Sequence, residues 1–303
     1  STGRLPKLLS SLYLLVGLPA LVGALGCSVQ TSVPSAEPIS STVEYLAGDD
    51  GEATVSAPNT VLNAYAALAT DIVAGDTSLT VDDVTNLELD GEPLAPGDLV
   101  LVIQMQGATI DLTDSADYGS VIDPGSSGLY EFVTVGSVEG DEITLDPVRC
   151  RGLRNDYSAS GGTQVIRVPE LTELTVQDGA SVVAPAWDGS VGGVVALQVT
   201  GATTLVGSGS IDVSGRGFRG GAVVGDGESQ AAETLVTSFR STDPADGGEK
   251  GEGIAGYQAD YTTGRYGRGA PANGGGGGNS HNAGGVRSEE RRVGKECTIQ
   301  CRS

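Results

Sequence analysis

From Val61 onward, apolar and polar residues alternate with a period of two in short runs, a pattern that predicts β-strands rather than helices. The first group of predicted strands covers Thr77–Val81, Asp98–Gln106, Tyr130–Val135, Glu142–Leu145 and Thr163–Val168. Short clusters of Gly, Pro, Ala and acidic residues separate these runs and predict turns. Strands of this length and spacing predict a small β-barrel or sandwich domain over residues 59–168.

One of these runs is apolar on both faces. Leu99 and Leu101 alternate with Val100 and Val102, so neither side of this strand is polar for most of its length. A strand of this kind is buried on both sides, and we therefore predict that it is central in its sheet.

The pattern changes after Val168, where the apolar runs become shorter. The predicted strands are Leu171–Val176, Ser181–Val183, Val194–Val199, Ala202–Leu205 and Ser210–Val213, with small turn residues between them. Very short strands at regular intervals are typical of the rungs of a parallel β-helix, which we predict over residues 169–225. The alternative is that these strands complete the preceding sandwich. In either case the fold class is all-β.

Glycine dominates the next segment, residues 226–286, which includes Gly264–Pro271 and Asn273–Asn279. Each glycine costs a helix about 0.5–1 kcal/mol relative to alanine, so these glycine-rich stretches are not expected to form helix. The segment is predicted to be either a set of tight turns against the solenoid or a flexible glycine-rich connector.

The first 26 residues have the pattern of a secretory signal peptide. Arg4 and Lys7 precede an almost wholly apolar run from Leu8 to Leu25. Ala24–Cys27 resembles a bacterial lipobox, which predicts lipidation of Cys27. The alternatives are cleavage by ordinary signal peptidase and an uncleaved membrane span.

Residues 27–58 are rich in Ser, Thr, Pro and acidic side chains and are predicted to be a disordered tether. Because Ser28 and not aspartate follows Cys27, the anchor is expected in the outer membrane or at the cell surface. No methionine begins the chain, so we expect its true start to lie upstream.

The last segment, residues 287–303, differs from the rest of the chain by carrying five basic residues. Residues 287–297 resemble one translated frame of a sequencing adapter, and we expect this tail to be non-native. The alternative is a natural basic tail that binds a partner. With a non-native tail, the chain is a fragment of a longer protein.

Several strings between residues 60 and 285 carry a resemblance to a known class of proteins. They are Gly97–Gly107, Tyr130–Val135, Gly152–Tyr157, Gly217–Gly221 and Arg265–Gly284. Together they resemble the N-terminal part of large secreted surface proteins of myxobacteria and their relatives, some of which are named adventurous gliding motility proteins. The resemblance implies a role at the cell surface or in the matrix and a link to surface motility.

Composition narrows the function classes further. The 303 residues carry a formal net charge of −22, which repels nucleic acid and disfavours a role in binding it. Cys150 is the one cysteine between residues 28 and 286, so no disulfide is predicted within this range. Cys150 is expected to be a small buried apolar residue.

Acidic and aromatic side chains suggest two kinds of candidate site. Four nearby carboxylates could offer oxygen ligands to Ca²⁺, although their spacing is not that of an EF-hand: Asp111, Asp114, Asp117 and Asp123. Three acids near the predicted rungs could form the carboxylate pair of a polysaccharide lyase or hydrolase: Glu170, Glu173 and Asp212. The more ordinary interpretation is that these carboxylates stabilise turns and keep the surface hydrated.

Other single residues carry weaker signals. Trp187 could stack on a sugar ring, but a lone tryptophan in a β-protein is more often buried. His281 is the one histidine, and we expect it to be solvated rather than catalytic. The glycines of residues 274–278 are not followed by Lys-Ser/Thr and do not form a phosphate-binding loop.

The sequence thus predicts an exported, lipid-anchored, adhesin-like structural protein of the cell surface. It predicts no catalytic residues, no cofactor and no metal site. The expected partners are the membrane, surface polysaccharide or other surface proteins, and not nucleic acid. The alternatives are a β-helix carbohydrate-active enzyme and a calcium-stabilised extracellular matrix module.

Overall fold

The computed structural model describes residues 50–221, 238–243, 249–256 and 264–277. Within these ranges the regular structure consists of strands and two short 3₁₀-helices, Val84–Leu87 and Ala159–Gly161. The strands are β1 Gly51–Val55, β2 Ala64–Ala67, β3 Ser78–Thr80, β4 Leu99–Gln104, β5 Thr109–Ile110, β6 Val121–Asp123, β7 Tyr130–Glu139, β8 Glu142–Leu145, β9 Thr163–Val168, β10 Glu170–Val176, β11 Ser181–Val182, β12 Gln198–Val199, β13 Thr203–Leu205 and β14 Ser210–Ile211. The all-β prediction is confirmed.

Six strands form an antiparallel sheet in the order β2-β9-β4-β7-β8-β3. The two edges of this sheet meet, because the Ala69 N–H donates to the Thr80 carbonyl at 2.8 Å and the Asp82 N–H donates to the Ala67 carbonyl at 2.9 Å. These bonds close the sheet into a small barrel, so the structure adopts the barrel and not the sandwich. Closure removes the free edges that an open sheet would expose.

Successive side chains of a barrel strand alternate between the interior and the outer face, as the period of two in the sequence predicts. Val100 and Val102 on β4 are fully buried inside the barrel, whereas Leu99 and Leu101 face outward. The outward leucines are also buried, since they pack against a second cluster that includes Val194. The prediction that this strand is central is confirmed, because β4 lies between β9 and β7.

The second part of the fold is a short parallel β-helix. β10 pairs in parallel with β1 on one side and with β12 and β13 on the other, and β11 pairs in parallel with β14. Successive rungs are in register at Leu174 and Thr203 and again at Ser181 and Ser210. The strands after Val168 therefore build rungs rather than completing a sandwich.

The first rung does not come from the predicted rung segment. Gly51–Val55, which the composition placed in the disordered tether over 27–58, forms β1 and pairs with β10 from Leu171 to Val176. The barrel is thus inserted between the first and second rungs. β1 was missed because it is short and half-polar, and its pairing partner lies about 120 residues further along the chain.

The described part of the glycine-rich segment is packed against the domain. The N–H groups of Gly107 and Ala108 donate to the Ile254 carbonyl at 2.9 and 3.0 Å, and the Ala272 N–H donates to the Gly119 carbonyl at 3.0 Å. Gly119 has φ +81°, and a Cβ there would lie 1.8 Å from the Ala270 carbonyl oxygen. In these ranges the interpretation as tight turns holds, and the turns contact the barrel as well as the solenoid.

The predicted signal peptide 1–26, Cys27, His281 and the tail 287–303 lie outside the described residues. Among the described residues, no helix is long and apolar enough to cross a membrane.

Candidate functional site

A buried carboxylate from the glycine-rich segment organises a polar cluster that joins distant parts of the chain. Glu252 Oε1 accepts hydrogen bonds from Gln106 Nε2 at 2.7 Å and from Trp187 Nε1 at 2.9 Å. Arg219 adds bonds from Nη2 to Oε1 at 3.0 Å, from Nε to Oε2 at 2.9 Å and from its backbone N–H to Oε2 at 2.8 Å. We call Gln106, Trp187, Arg219 and Glu252 the Glu252 cluster. Its carboxylate has both oxygens satisfied by several donors.

These hydrogen bonds keep the Glu252 carboxyl group ionised. Burial by itself raises the pKa of this carboxyl group, but the hydrogen bonds from Arg219, Trp187 and Gln106 outweigh it and hold the pKa below its ordinary value. Glu252 is therefore ionised at neutral pH and forms a bidentate ion pair with Arg219.

The Glu252 cluster joins three parts of the molecule that are distant in sequence. Gln106 follows β4 of the barrel, Trp187 follows β11 of the second rung, and Arg219 follows β14 of the third rung. Trp187 is 2% exposed and packs edge-to-face against Phe218 at 6.1 Å between ring centroids. The cluster therefore fastens the barrel, the solenoid and the glycine-rich segment to one another.

A buried lysine lies two residues before Glu252. Lys250 is fully buried, and its Nζ donates to the carbonyls of Phe239 at 2.7 Å, Gly267 at 3.1 Å and Gly269. The same ammonium lies 4.2 Å from the centroid of the Tyr118 ring. Burial lowers the pKa of Lys250 to about 7, with a smaller opposing effect from Asp114. We call this arrangement the Lys250 cage. It holds the chain at Phe239 and the chain at Gly267 and Gly269 around one side chain.

A second buried carboxylate stabilises the barrel itself. Glu131 is 1% exposed and accepts hydrogen bonds from the backbone N–H groups of Arg154 and Asn155 and from the Tyr157 hydroxyl. Like Glu252, it is used to tie a loop to the fold. The buried acids that the structure describes are thus engaged by several donors each.

The aspartates considered for calcium are engaged in turns. Asp111 accepts from the backbone and hydroxyl of Thr113, Asp123 accepts from the Gly125 N–H, and the Asp117 N–H donates to a serine hydroxyl. Asp114 accepts from the backbone N–H groups of residues 239 and 240 and so helps to hold the glycine-rich segment. Within the described ranges no group of three or more His, Cys, Asp or Glu side chains is placed to hold a metal ion.

Of the three acids near the rungs, Glu170 and Asp212 each accept a hydrogen bond from a different partner. Glu170 and Glu173 both lie on β10, where the pairing with β1 shifts register between Leu171 and Glu173, and Glu170 accepts from Gln198 Nε2 at 2.9 Å. Asp212 follows β14 and accepts from the Ser214 N–H at 2.8 Å. The structure supplies no contact that joins them as a carboxylate pair.

The remaining predicted residues are buried. Trp187 is a hydrogen-bonded member of the Glu252 cluster and not an exposed platform for sugars. Cys150 is 3% exposed in the barrel core, in agreement with the expectation of a small buried residue.

Sequence reasoning missed the Glu252 cluster and the Lys250 cage. The one signal that could have indicated them is the string Glu249-Lys250-Gly251-Glu252-Gly253, in which three charged residues are set among glycines. Charged side chains flanked by glycine can be approached closely by other backbone segments, as Gly253 illustrates with a built Cβ only 2.6 Å from the Gly274 backbone nitrogen.

No family model and no curated protein matches the chain. Among solved structures it is similar to the tailspike gp61 of Pseudomonas phage phi297, with 18% identity over 55% of this chain and 24% of that chain and a TM-score of 0.24. It is also similar to the tailspike gp49 of Pseudomonas phage LKA1, with 11% identity, 44% and 22% coverage and a TM-score of 0.24. A third is the gp54 tailspike of Acinetobacter baumannii bacteriophage AP22 in complex with capsular saccharide, with 15% identity, 54% and 26% coverage and a TM-score of 0.23. The chain spans about a quarter of the length of these tailspikes.

Proposed function

We propose that this protein is an exported, lipid-anchored structural protein of the cell surface, and that its body is a rigid adhesin-like scaffold. The observation that carries the proposal is the Glu252 cluster. It uses an ionised, buried carboxylate to fasten the barrel, the solenoid and the glycine-rich segment together. A polar network in which the buried members are all hydrogen-bonded restricts local opening, a property that a surface scaffold requires.

The attachment to the membrane rests on the sequence. The apolar run of residues 8–25 and the lipobox-like end at Cys27 support export and lipidation, and several acyl chains would hold the protein firmly. The link to surface motility rests on the resemblance of residues 60–285 alone, and we propose it on that basis.

Replacing Cys27 by serine is expected to abolish membrane attachment. The full chain is expressed in a Gram-negative host that is fed labelled palmitate, and membranes are separated from soluble protein. The parent chain is expected to carry label and to sediment with membranes, whereas Cys27→Ser loses both. Cys150→Ser is the matched control, since this thiol lies in the barrel core and should not affect labelling. Unlabelled, soluble parent protein would instead indicate cleavage by ordinary signal peptidase.

A second candidate function, binding of surface saccharide, is favoured by an exposed tyrosine that packs against a half-buried phenylalanine on the outer face of the barrel. Tyr130 at the start of β7 is 45% exposed and packs edge-to-face against Phe132 at 6.3 Å. Nearby in sequence, Ile122 is 69% and Leu129 is 40% exposed. An aromatic ring with one apolar face and a polar hydroxyl suits a sugar ring, and the net charge of −22 favours a neutral glycan over an anionic one.

Replacing Tyr130 by alanine is expected to reduce retardation of the protein in gels that contain a neutral polysaccharide, by about tenfold in apparent affinity. Val148→Ala is the control, because Val148 is 83% exposed but has no aromatic neighbour in the contacts described. Equal retardation of both variants and the parent would contradict a saccharide site at Tyr130. Depolymerisation of the polysaccharide during the assay would support the enzyme alternative.

A further inference from the structure

A cleft of about 540 Å³ lies beside the first rung of the β-helix. Its lining combines β1 and the chain that follows it with the loop after the first 3₁₀-helix, which contributes Leu89, Asp90 and Glu92. Val61, which is 42% exposed, gives the cleft an apolar surface. The volume lies within the range of about 300–1,000 Å³ that is usual for ligand sites in proteins.

The loop that lines part of the cleft is held in place by several hydrogen bonds. The Leu89 N–H donates to the Glu92 carbonyl at 3.0 Å, and the Glu92 N–H donates to the Leu89 carbonyl at 2.9 Å. Between them Asp90 and Gly91 have φ +51° and +86°, the left-handed pair of a two-residue hairpin turn. Arg167 Nη1 also donates to the Glu92 carbonyl at 2.7 Å. The cleft is therefore preformed.

The lining of the cleft is negatively charged. Among the described residues that line it, four are acidic: Asp50, Glu52, Asp90 and Glu92. The one basic residue of this lining, Arg167, is 6% exposed and forms an ion pair with Asp98 at 2.9 Å. The side chains of Glu52, Asp90 and Glu92 have no hydrogen-bond or ion-pair partner among the described residues. These three carboxylates are available to bind a positive group.

The register of the rungs independently favours a cationic ligand. Glu52 on β1 lies directly beside Glu173 on β10, and both side chains are exposed. Side chains in register on neighbouring strands project from the same face about 4.8 Å apart, so these two carboxylates repel each other. A positive group bound at Glu52 relieves that repulsion.

The strand that borders the cleft has a free backbone edge. β1 pairs with β10 on one side, and no described strand pairs with it on the other. The Val55 carbonyl accepts from the Gln177 N–H at 2.9 Å, so Val55 points its backbone groups toward β10. Because neighbouring residues of a strand point in opposite directions, the N–H and C=O groups of Glu52 and Thr54 point away from β10. Both residues line the cleft.

These features suit a peptide better than a saccharide. None of the described residues that line the cleft is aromatic, so the lining lacks the flat ring on which sugars stack. It offers instead backbone hydrogen-bonding groups at a strand edge, carboxylates and the aliphatic side chain of Val61. An extended peptide with positive side chains can use all three when it is added to a sheet as a further strand.

We propose that this cleft binds an extended, lysine- or arginine-bearing peptide segment of another protein, which adds as a strand to the free edge of β1. The main chain of the peptide pairs with the backbone groups of Glu52 and Thr54, and its positive side chains lie against Glu52, Asp90 and Glu92. An apolar side chain of the peptide covers Val61. The surface scaffold thereby gains a protein partner, which goes beyond its structural role.

A labelled peptide, acetyl-Lys-Val-Lys-Val-Lys-amide, tests the site when it is titrated with the full chain and followed by fluorescence anisotropy. Glu52→Gln with Glu92→Gln is expected to weaken binding about tenfold. The matched control is Glu139→Gln with Glu142→Gln, which removes two exposed acids that pair across β7 and β8 outside the cleft and leaves binding unchanged. A peptide with glutamate in place of lysine is expected not to bind.

Two further measurements test the strand pairing. A peptide that is N-methylated at alternate residues keeps its charges but loses main-chain donors, and is expected to bind about tenfold more weakly. In hydrogen exchange, the lysine peptide should protect the amides of Glu52 and Thr54. The amides of Ala53 and Val55, which point toward β10, should not change.

Several results would overturn the proposal. Absence of binding by the lysine peptide, or equal weakening by both double variants, would do so, since the latter indicates general attraction to a chain of net charge −22. Unchanged binding of the N-methylated peptide, or protection confined to other parts of the chain, would exclude strand addition at β1. None of these results bears on Cys27 labelling or on saccharide binding at Tyr130.

Discussion

Replacing Glu252 by alanine is expected to lower the free energy of unfolding by about 3 kcal/mol. The substitution leaves the buried donors Gln106 Nε2 and Trp187 Nε1 without their shared acceptor. Arg219 loses its bidentate partner as well, but its side chain is 37% exposed and can be rehydrated, which limits the loss. Chemical denaturation of the full chain measures the change.

Two further variants test whether the stability loss is specific to the buried Glu252 carboxylate or follows from removing any acidic side chain. Glu173→Ala removes an exposed acid from β10 and is expected to change stability by less than about 0.5 kcal/mol. Glu252→Gln retains one acceptor oxygen and is expected to fall between the two. A loss for Glu252→Ala no larger than that for Glu173→Ala would contradict the structural role of the Glu252 cluster.

A local measurement tests what the cluster holds in place. In Glu252→Ala, hydrogen exchange in residues 249–256 is expected to rise more than exchange in the barrel strands, because the cluster ties this segment to Gln106 and Trp187. A uniform rise over the whole chain would indicate a general loss of stability instead.

Stability is expected to increase as pH rises from 7 to 9, by about 2 kcal/mol over the two units. The pKa of Lys250 is lowered by burial to about 7 in the folded protein, against an ordinary value of 10.5. Between these values the unfolded chain binds the proton and the folded chain does not. Raising the pH therefore removes the cost of deprotonating Lys250 on folding. Urea denaturation at a series of pH values measures the slope.

The Lys250→Met variant isolates this contribution. Methionine keeps an apolar stem of similar length and does not titrate, so the rise between pH 7 and 9 should be lost. Tyr118, whose ring faces Lys250, does not titrate in this window, because burial raises its pKa to about 12. Above pH 10, unfolded tyrosines ionise before buried ones and stability should fall again. An unchanged slope in Lys250→Met would assign the pH dependence to other groups.

Much of the strand pattern could be predicted from the sequence. The period of two located most strands of the barrel, and the run that is apolar on both faces placed β4 between two neighbours. β2 was missed, since Ala64–Ala67 is alanine-rich and has weak β-propensity. Residues 194–197 were predicted as strand but form only the buried approach to β12, where packing and side-chain hydrogen bonds from Asn63 and Tyr65, not a ladder, hold the chain.

The candidate site was not predictable in the same way. Glu252 is one acid in a glycine-rich stretch, and nothing in its neighbourhood indicates that Gln106, Trp187 and Arg219 converge on it. These donors come from three elements separated by 33 to 146 positions from the carboxylate. Their meeting depends on how the barrel, the rungs and the glycine-rich turns pack.

The sequence by itself determined the all-β class, the strand periodicity and the change from barrel strands to short rungs, because side-chain alternation is a local property. Only the tertiary structure decided that the barrel interrupts the solenoid, that the glycine-rich stretches are packed turns, and that Lys250 and Glu252 are buried. The physical reason is that parallel pairing and the burial of a charge require partners far along the chain. Local sequence preferences therefore do not identify those partners.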